Sequence, residues 1–274
     1  MGDTQLSACW RSAIKGWTNW YAAGGAPATT IELRTYQLVR IAKHFGDRDP
    51  WTITTDELAA WLAEHRWSRE TLRSYRAALR SFYGWGHASG LIETDPARLL
   101  RRVPATIGVP RPAAEHLISD ALHRSDDRMW LMLMLGSRHG MRRGEIARVS
   151  TRDLRVDEDG WSLVVHGKGA KERIVPLLAE VARVIRDAPP GWLFPNGMGT
   201  HLTPAHVGVL MRRALDGEAT AHQLRHRFAT RTYQATKDIR AVQELLGHAS
   251  VATTQRYTKV ADNALRIAVQ SAAS

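Results

Sequence analysis

Apolar positions in the first hundred residues of this 274-residue chain fall at helical spacing. Leu72, Tyr75, Leu79 and Phe82 recur at i, i+3, i+7 and i+10, one face of a helix. Leu58, Trp61 and Leu62 do the same after Thr54-Thr55-Asp56-Glu57. That tetrad and Thr29-Thr30-Ile31-Glu32 each set a hydroxyl three residues before a glutamate, which predicts a capped helix start at both. Helical patterning begins as early as Leu6 to Trp20.

A different rhythm follows. Pro96, Pro104, Pro110 and Pro112 punctuate residues 92–112, which read as a strap with its linker proper at 104–110. Trp130 to Leu135 is apolar throughout and predicts a buried helix running into Gly136 and a turn at Gly140. Trp161-Ser162-Leu163-Val164-Val165 and Arg173-Ile174-Val175 are β-prone, with Gly167-Lys168-Gly169 as the bend between them. Helices resume after Pro176, with Thr203-Pro204 as a cap followed by a first-turn proline, and cover roughly 222–235, 238–246 and 251–257. The expected fold is mainly α. A helical domain spans 1–103, and a mostly helical α/β domain with a small antiparallel sheet spans 111–274.

Charge changes the picture from fold to partner. Lysine and arginine number 38 against 27 acidic residues, a formal net charge of +11. The basic residues are spread along the chain, so a folded protein with a basic face for a polyanion is expected rather than a charged tail. Arg69, Arg73, Arg76 and Arg80 line the opposite side of the Leu72 helix, as a face for DNA phosphates would. The single cysteine, Cys9, excludes an internal disulfide and a cysteine-rich metal site. With neither a signal-peptide core nor a long apolar run, the expected setting is cytoplasmic, with no membrane partner.

The candidate chemistry lies in scattered fragments. Gly140-Met141-Arg142-Arg143-Gly144-Glu145 is followed by Gly167-Lys168-Gly169-Ala170-Lys171-Glu172-Arg173-Ile174-Val175-Pro176-Leu177. His222-Gln223-Leu224-Arg225-His226 comes next, and Leu246-Gly247-His248 runs on to Thr253-Thr254-Gln255-Arg256-Tyr257. Arginine forks suit the non-bridging oxygens of a phosphodiester, because they donate two hydrogen bonds and keep their charge. A lysine on a hairpin bend can protonate a leaving oxygen, with Lys171 the alternative to Lys168. His222 and Arg225, three apart on a helix, share a face, while His226 reads as a structural partner and metal binding is not expected. A tyrosine is a weak nucleophile until cationic neighbours help remove its proton.

In this order, these fragments resemble the catalytic domain of the tyrosine recombinases, the phage-integrase and Xer-like family. The resemblance covers 110–260, and the N-terminal region is similar to the family's core-binding domain in pattern only. It implies that Tyr257 attacks a scissile phosphate to give a 3′-phosphotyrosine and a free 5′-hydroxyl. The family pattern selects Arg142 over Arg143. Arg142 and Arg225 would then hold the phosphate together with His222 and His248, and Lys168 would serve the leaving oxygen. His222 is left open between accepting the tyrosine proton and donating to the phosphate. Glu145, three residues beyond Arg142, would orient that arginine. No ATP, divalent metal or other cofactor is implied. The implied partners are double-stranded DNA core or attachment sites and a host DNA-bending factor. The free protein would be a monomer or weak oligomer, and four copies would synapse through a Holliday junction. A last helix with Leu265, Ile267 and Val269 would pack into a neighbour. With helical patterning starting at Leu6, no separate arm-site domain is expected, so the chain reads as a compact integrase of a phage or mobile element. Xer-like dimer resolution, a type IB topoisomerase and an inactive DNA-binding regulator are the rival readings.

Overall fold

The computed structural model describes residues 6–104, 111–167 and 172–247. The chain divides into two compact units, with the break between residues 107 and 108.

The first unit is helical: α1 (Ala8–Ala23), α2 (Ala28–Phe45), α3 (Thr55–Glu64) and α4 (Arg69–Ala88). Its core is unusually aromatic, with Trp10, Trp17, Trp61, Phe82 and Tyr83 fully buried among Leu38, Ile41, Leu58 and Leu79. Trp51 stacks on Phe82 with centroids 5.1 Å apart. The predicted box at Thr54 forms: its hydroxyl accepts from the Glu57 N–H, and Glu57 returns a bond to the Thr54 N–H at 2.9 Å. The one predicted at Thr29 does not. Helix α2 starts at Ala28, with Pro27 as its cap, because the proline carbonyl already accepts the Thr30 and Ile31 N–H groups at 2.8 and 3.1 Å.

The strap expected from residue 92 begins later than its prolines imply. Ala97 and Leu100 are buried in the first core, and Ile92 packs against it. Thr55 Oγ1 donates to the Pro96 carbonyl at 2.8 Å, and Arg76 donates twice to the Leu100 carbonyl at 3.0 and 2.9 Å. Proline ends a helix here, but it does not prevent the apolar residues around it from packing.

The second unit contains α5 (Glu115–Arg124), α6 (Asp127–Ser137), α7 (Arg143–Ile146), β1 (Leu154–Asp157), β2 (Gly160–His166), β3 (Glu172–Pro176), α8 (Ala179–Asp187), α9 (Pro204–Ala214), α10 (Ala221–Thr236) and α11 (Ile239–Leu246). Helix α6 is the predicted apolar one. Asp126 caps it, accepting the Met129 N–H at 2.8 Å, and every residue from Leu131 to Ser137 is buried. The sheet is antiparallel in the order β1-β2-β3, one strand more than the pattern predicts. In register, Leu154 faces Leu163 and Leu163 faces Val175, so one row of apolar side chains meets the core. Thr203 caps α9 with Pro204 in its first turn, as predicted. Thr220 and Gln223 box the start of α10, and Gly247 closes α11 in the left-handed region at φ 60°. The helical pattern at 251–257 and the terminal helix lie outside the described residues. No helix among the described residues is long and apolar enough to cross a membrane.

Candidate active site

Arg142 is aimed by the turn that leaves α6. His139 is buried, with Nδ1 3.1 Å from the Met134 carbonyl and Nε2 3.2 Å from the Leu178 N–H. Because Nε2 must accept, the proton sits on Nδ1 and the ring is neutral; burial pushes its pKa down, partly opposed by the bond to Met134. Gly140 then takes φ 64° with the Phe228 ring of α10 pressed against it. The Met141 N–H returns to the Leu135 carbonyl at 3.0 Å, and Arg142 emerges as the cap of the short α7.

The centre of the site is Glu145, whose side chain is 3% exposed. It accepts the Arg142 backbone N–H at 2.8 Å and the Arg142 guanidinium at 2.7 Å. Arg173 of β3 forks onto both carboxylate oxygens at 3.0 and 2.8 Å, and Arg225 Nη1 of α10 lies 3.8 Å away. Burial alone would raise the Glu145 pKa. The bonds and charge of Arg173, followed by the two donors of Arg142, overcome that and hold it at about 2. A charge this deeply buried is tolerable only when paired on several sides.

The same three arginines meet the C-terminal end of α11. Arg173 Nε donates to the Leu245 carbonyl at 2.8 Å, Arg225 Nη2 to Leu246 at 2.5 Å, and Arg142 Nη2 reaches Gly247 at 3.4 Å. Arg225 is itself buried and also donates to the Gly140 carbonyl at 2.5 Å.

Arg142, Glu145, His222 and Arg225 line one cleft of about 940 Å³, whose walls add Arg143, Arg148 and Arg212. His222 is exposed in the first turn of α10, and its ring meets that of His226 edge-on with centroids 4.0 Å apart. His226 is buried, which suits the structural part expected of it. So four of the residues singled out from sequence are brought together. Lys168, His248 and Tyr257 lie outside the described residues, as does Lys171. No group of three or more potential metal-ligating side chains occurs among the described residues.

Arg173 and His139 were not among the residues singled out for the site. One signal existed for Arg173: it shares strand parity with Val175, on the face that turns toward the core, and a buried arginine needs a carboxylate.

In the first unit, the four arginines of α4 divide. Arg76 is tied to the Leu100 carbonyl and Arg80 to that of Arg98 at 3.3 Å, while Arg73 pairs with Glu70 at 2.9 Å. Arg69 is exposed. Arg73, Arg76 and Arg102 surround a groove of about 380 Å³. Burial, then the charges of Arg80 and Arg102, lower the Arg76 pKa.

Residues 113–264 match the phage integrase family. Tyrosine recombinase XerA of Pyrococcus horikoshii is 30% identical over 264 residues, covering 90% of this chain and 89% of its own. Tyrosine recombinase XerC of Xanthomonas campestris pv. campestris is 32% identical over 247 residues, covering 81% and 74% respectively. Among solved structures, a lambda integrase dimer bound to a COC′ core site aligns with a TM-score of 0.73 at 21% identity, covering 90% of this chain and 76% of that one. At that identity the likeness is one of fold.

Proposed function

We propose that this chain, which belongs to the phage integrase family and is a tyrosine recombinase, cuts and rejoins duplex DNA at specific sites with Tyr257 as its nucleophile. The observation that supports the residue roles is the cleft that gathers Arg142, His222 and Arg225 around the ionised Glu145. Attack on a phosphodiester builds negative charge on its non-bridging oxygens, and donors fixed in advance lower that barrier most. Arg142, held on one side by Glu145, faces the cleft with a charge it never loses. Arg225 lines the same cleft as a buried residue, and the exposed His222 would exchange a proton or donate to the phosphate. In this reading Lys168 protonates the departing 5′ oxygen, and His248 adds a further donor to the phosphate. The phosphotyrosine conserves the bond energy of the broken strand, so rejoining needs no cofactor.

The exposed arginines of α4 and the groove beside Arg102 would carry the first unit's share of phosphate contacts. We assign residues 1–103 to core-site binding, 111–274 to catalysis and 104–110 to the linker. Four copies acting in the cytoplasm would pair two core sites and pass their strands through a Holliday junction, with a host DNA-bending factor assisting. The biological task would be integration or excision of a phage or mobile element. The test is to select preferred duplexes from a random pool and offer them in pairs. Recombinant products that depend on Tyr257 are expected. Relaxation of supercoils without pairing would mark a topoisomerase, and a preference for a chromosomal dimer-resolution site would mark the Xer-like role.

A further inference from the structure

Arg173 has no part in the reaction as laid out above, yet it holds the clamp from beneath. Its side chain is 11% exposed, too enclosed to meet a duplex. Both terminal nitrogens go to the Glu145 carboxylate, at 3.0 and 2.8 Å, and Nε goes to the Leu245 carbonyl at 2.8 Å. Arg225 and Arg142 take the next two carbonyls, those of Leu246 and Gly247. The last carbonyls of a helix have no partner within it and sit at the negative end of its dipole. One carboxylate and three successive carbonyls therefore organise three arginines. The fit is close: a Cβ on Gly247 would come within 3.0 Å of Arg173 Cδ.

We propose that Arg173 is a positioning residue for strand cleavage, fixing Glu145 and the end of α11 and through them setting Arg142 and Arg225 against the scissile phosphate. This rests on the recombinase reading given above. Without Arg173, Glu145 draws its whole compensation from Arg142 and Arg225, and their donors turn inward, away from substrate. A lysine keeps the charge but cannot span two carboxylate oxygens and a carbonyl. Arg173 is also five positions beyond Lys168, and α11 leads directly toward His248. One side chain thus ties β3 to the end of α11.

The experiment uses the full chain and nicked duplexes of a selected site, with the scissile position either a normal phosphate or a methylphosphonate. The latter is neutral and asks less of an arginine clamp. R173K is expected to bind both duplexes as the wild type does, and to form covalent adduct on the phosphate about 10- to 100-fold more slowly. On the methylphosphonate its loss should be much smaller. Equal losses on both, or an unchanged rate on the phosphate, would overturn the proposal, because a purely structural role does not discriminate between the two. Thermal melts of E145Q, R173Q and the double variant give a readout independent of activity. The double variant should lose less than the sum of the singles, and additive losses would also overturn it. If the wild type forms no adduct on any duplex, the recombinase reading fails and the melts alone decide the part played by Arg173.

Discussion

Phe228 of α10 fills the space in which a side chain on Gly140 would begin: a Cβ there would overlap the Phe228 ring, and the residue already sits at φ 64°. The helix that carries His222 and Arg225 is thereby set against the turn that presents Arg142. Gly140→Ala should cost about 3 kcal/mol, from left-handed strain plus overpacking. Chemical denaturation measures it. A cost below about 0.5 kcal/mol would mean that this packing does not constrain the turn.

Glu145 makes the second unit acid-sensitive. Its carboxyl has a folded pKa of about 2, below that of an unfolded glutamate. A depressed carboxylate contributes stability above the unfolded pKa and loses it as pH falls toward the folded one. Roughly 3 kcal/mol should therefore disappear between about pH 4 and pH 2. Glu145→Gln should already be about 3–5 kcal/mol less stable at neutral pH, since it removes the carboxylate onto which the largely buried Arg173 forks. Its stability should be flatter across that acid window. A Glu145→Gln curve parallel to the wild type would assign the acid sensitivity elsewhere.

How much of this was legible beforehand follows from distance along the chain. The Arg142–Glu145 relation is local, three residues apart, and the family resemblance implied it. The pairing of His222 with Arg225 on one helical face was equally local. For Arg173, strand parity signals only an inward side chain; its partners were not legible, because its carboxylate lies 28 positions earlier and its carbonyl 72 positions later. Strand β1 was missed because Leu154-Arg155-Val156-Asp157 is short and only half apolar, and its strand character depends on pairing with β2. Pro96 and Pro104 read as punctuation of a strap over 92–112, although Ala97 and Leu100 between them complete the first core. Periodicity reports what a segment does by itself, and these exceptions depend on what the segment meets.

The arginines of α4 should separate into two kinds. Arg76→Ala removes two donors from the Leu100 carbonyl and should lower the stability of the first unit by about 1–3 kcal/mol. Arg69→Ala should leave stability within about 0.5 kcal/mol. It should instead weaken DNA binding and reduce the slope of log affinity against log salt by about 1. Melting curves and salt titrations check both. The same behaviour from the two variants would contradict the division.

Metal dependence offers a further check. The proposed chemistry stabilises the phosphate with arginine and histidine, so cleavage of a nicked duplex should proceed at an unchanged rate in excess EDTA. Abolition by EDTA, with recovery on adding magnesium, would require a metal in the reaction.

The central claim is that Tyr257 takes the phosphate held by Arg142 and Arg225. The most direct measurement is mass spectrometry of the covalent protein–DNA adduct trapped on a nicked duplex and digested with protease and nuclease. The account predicts one modified peptide, with a nucleotide joined through its 3′ phosphate to Tyr257, and no adduct from Tyr257→Phe. An adduct on another residue, a 5′ linkage, or undiminished trapping by Tyr257→Phe would contradict it.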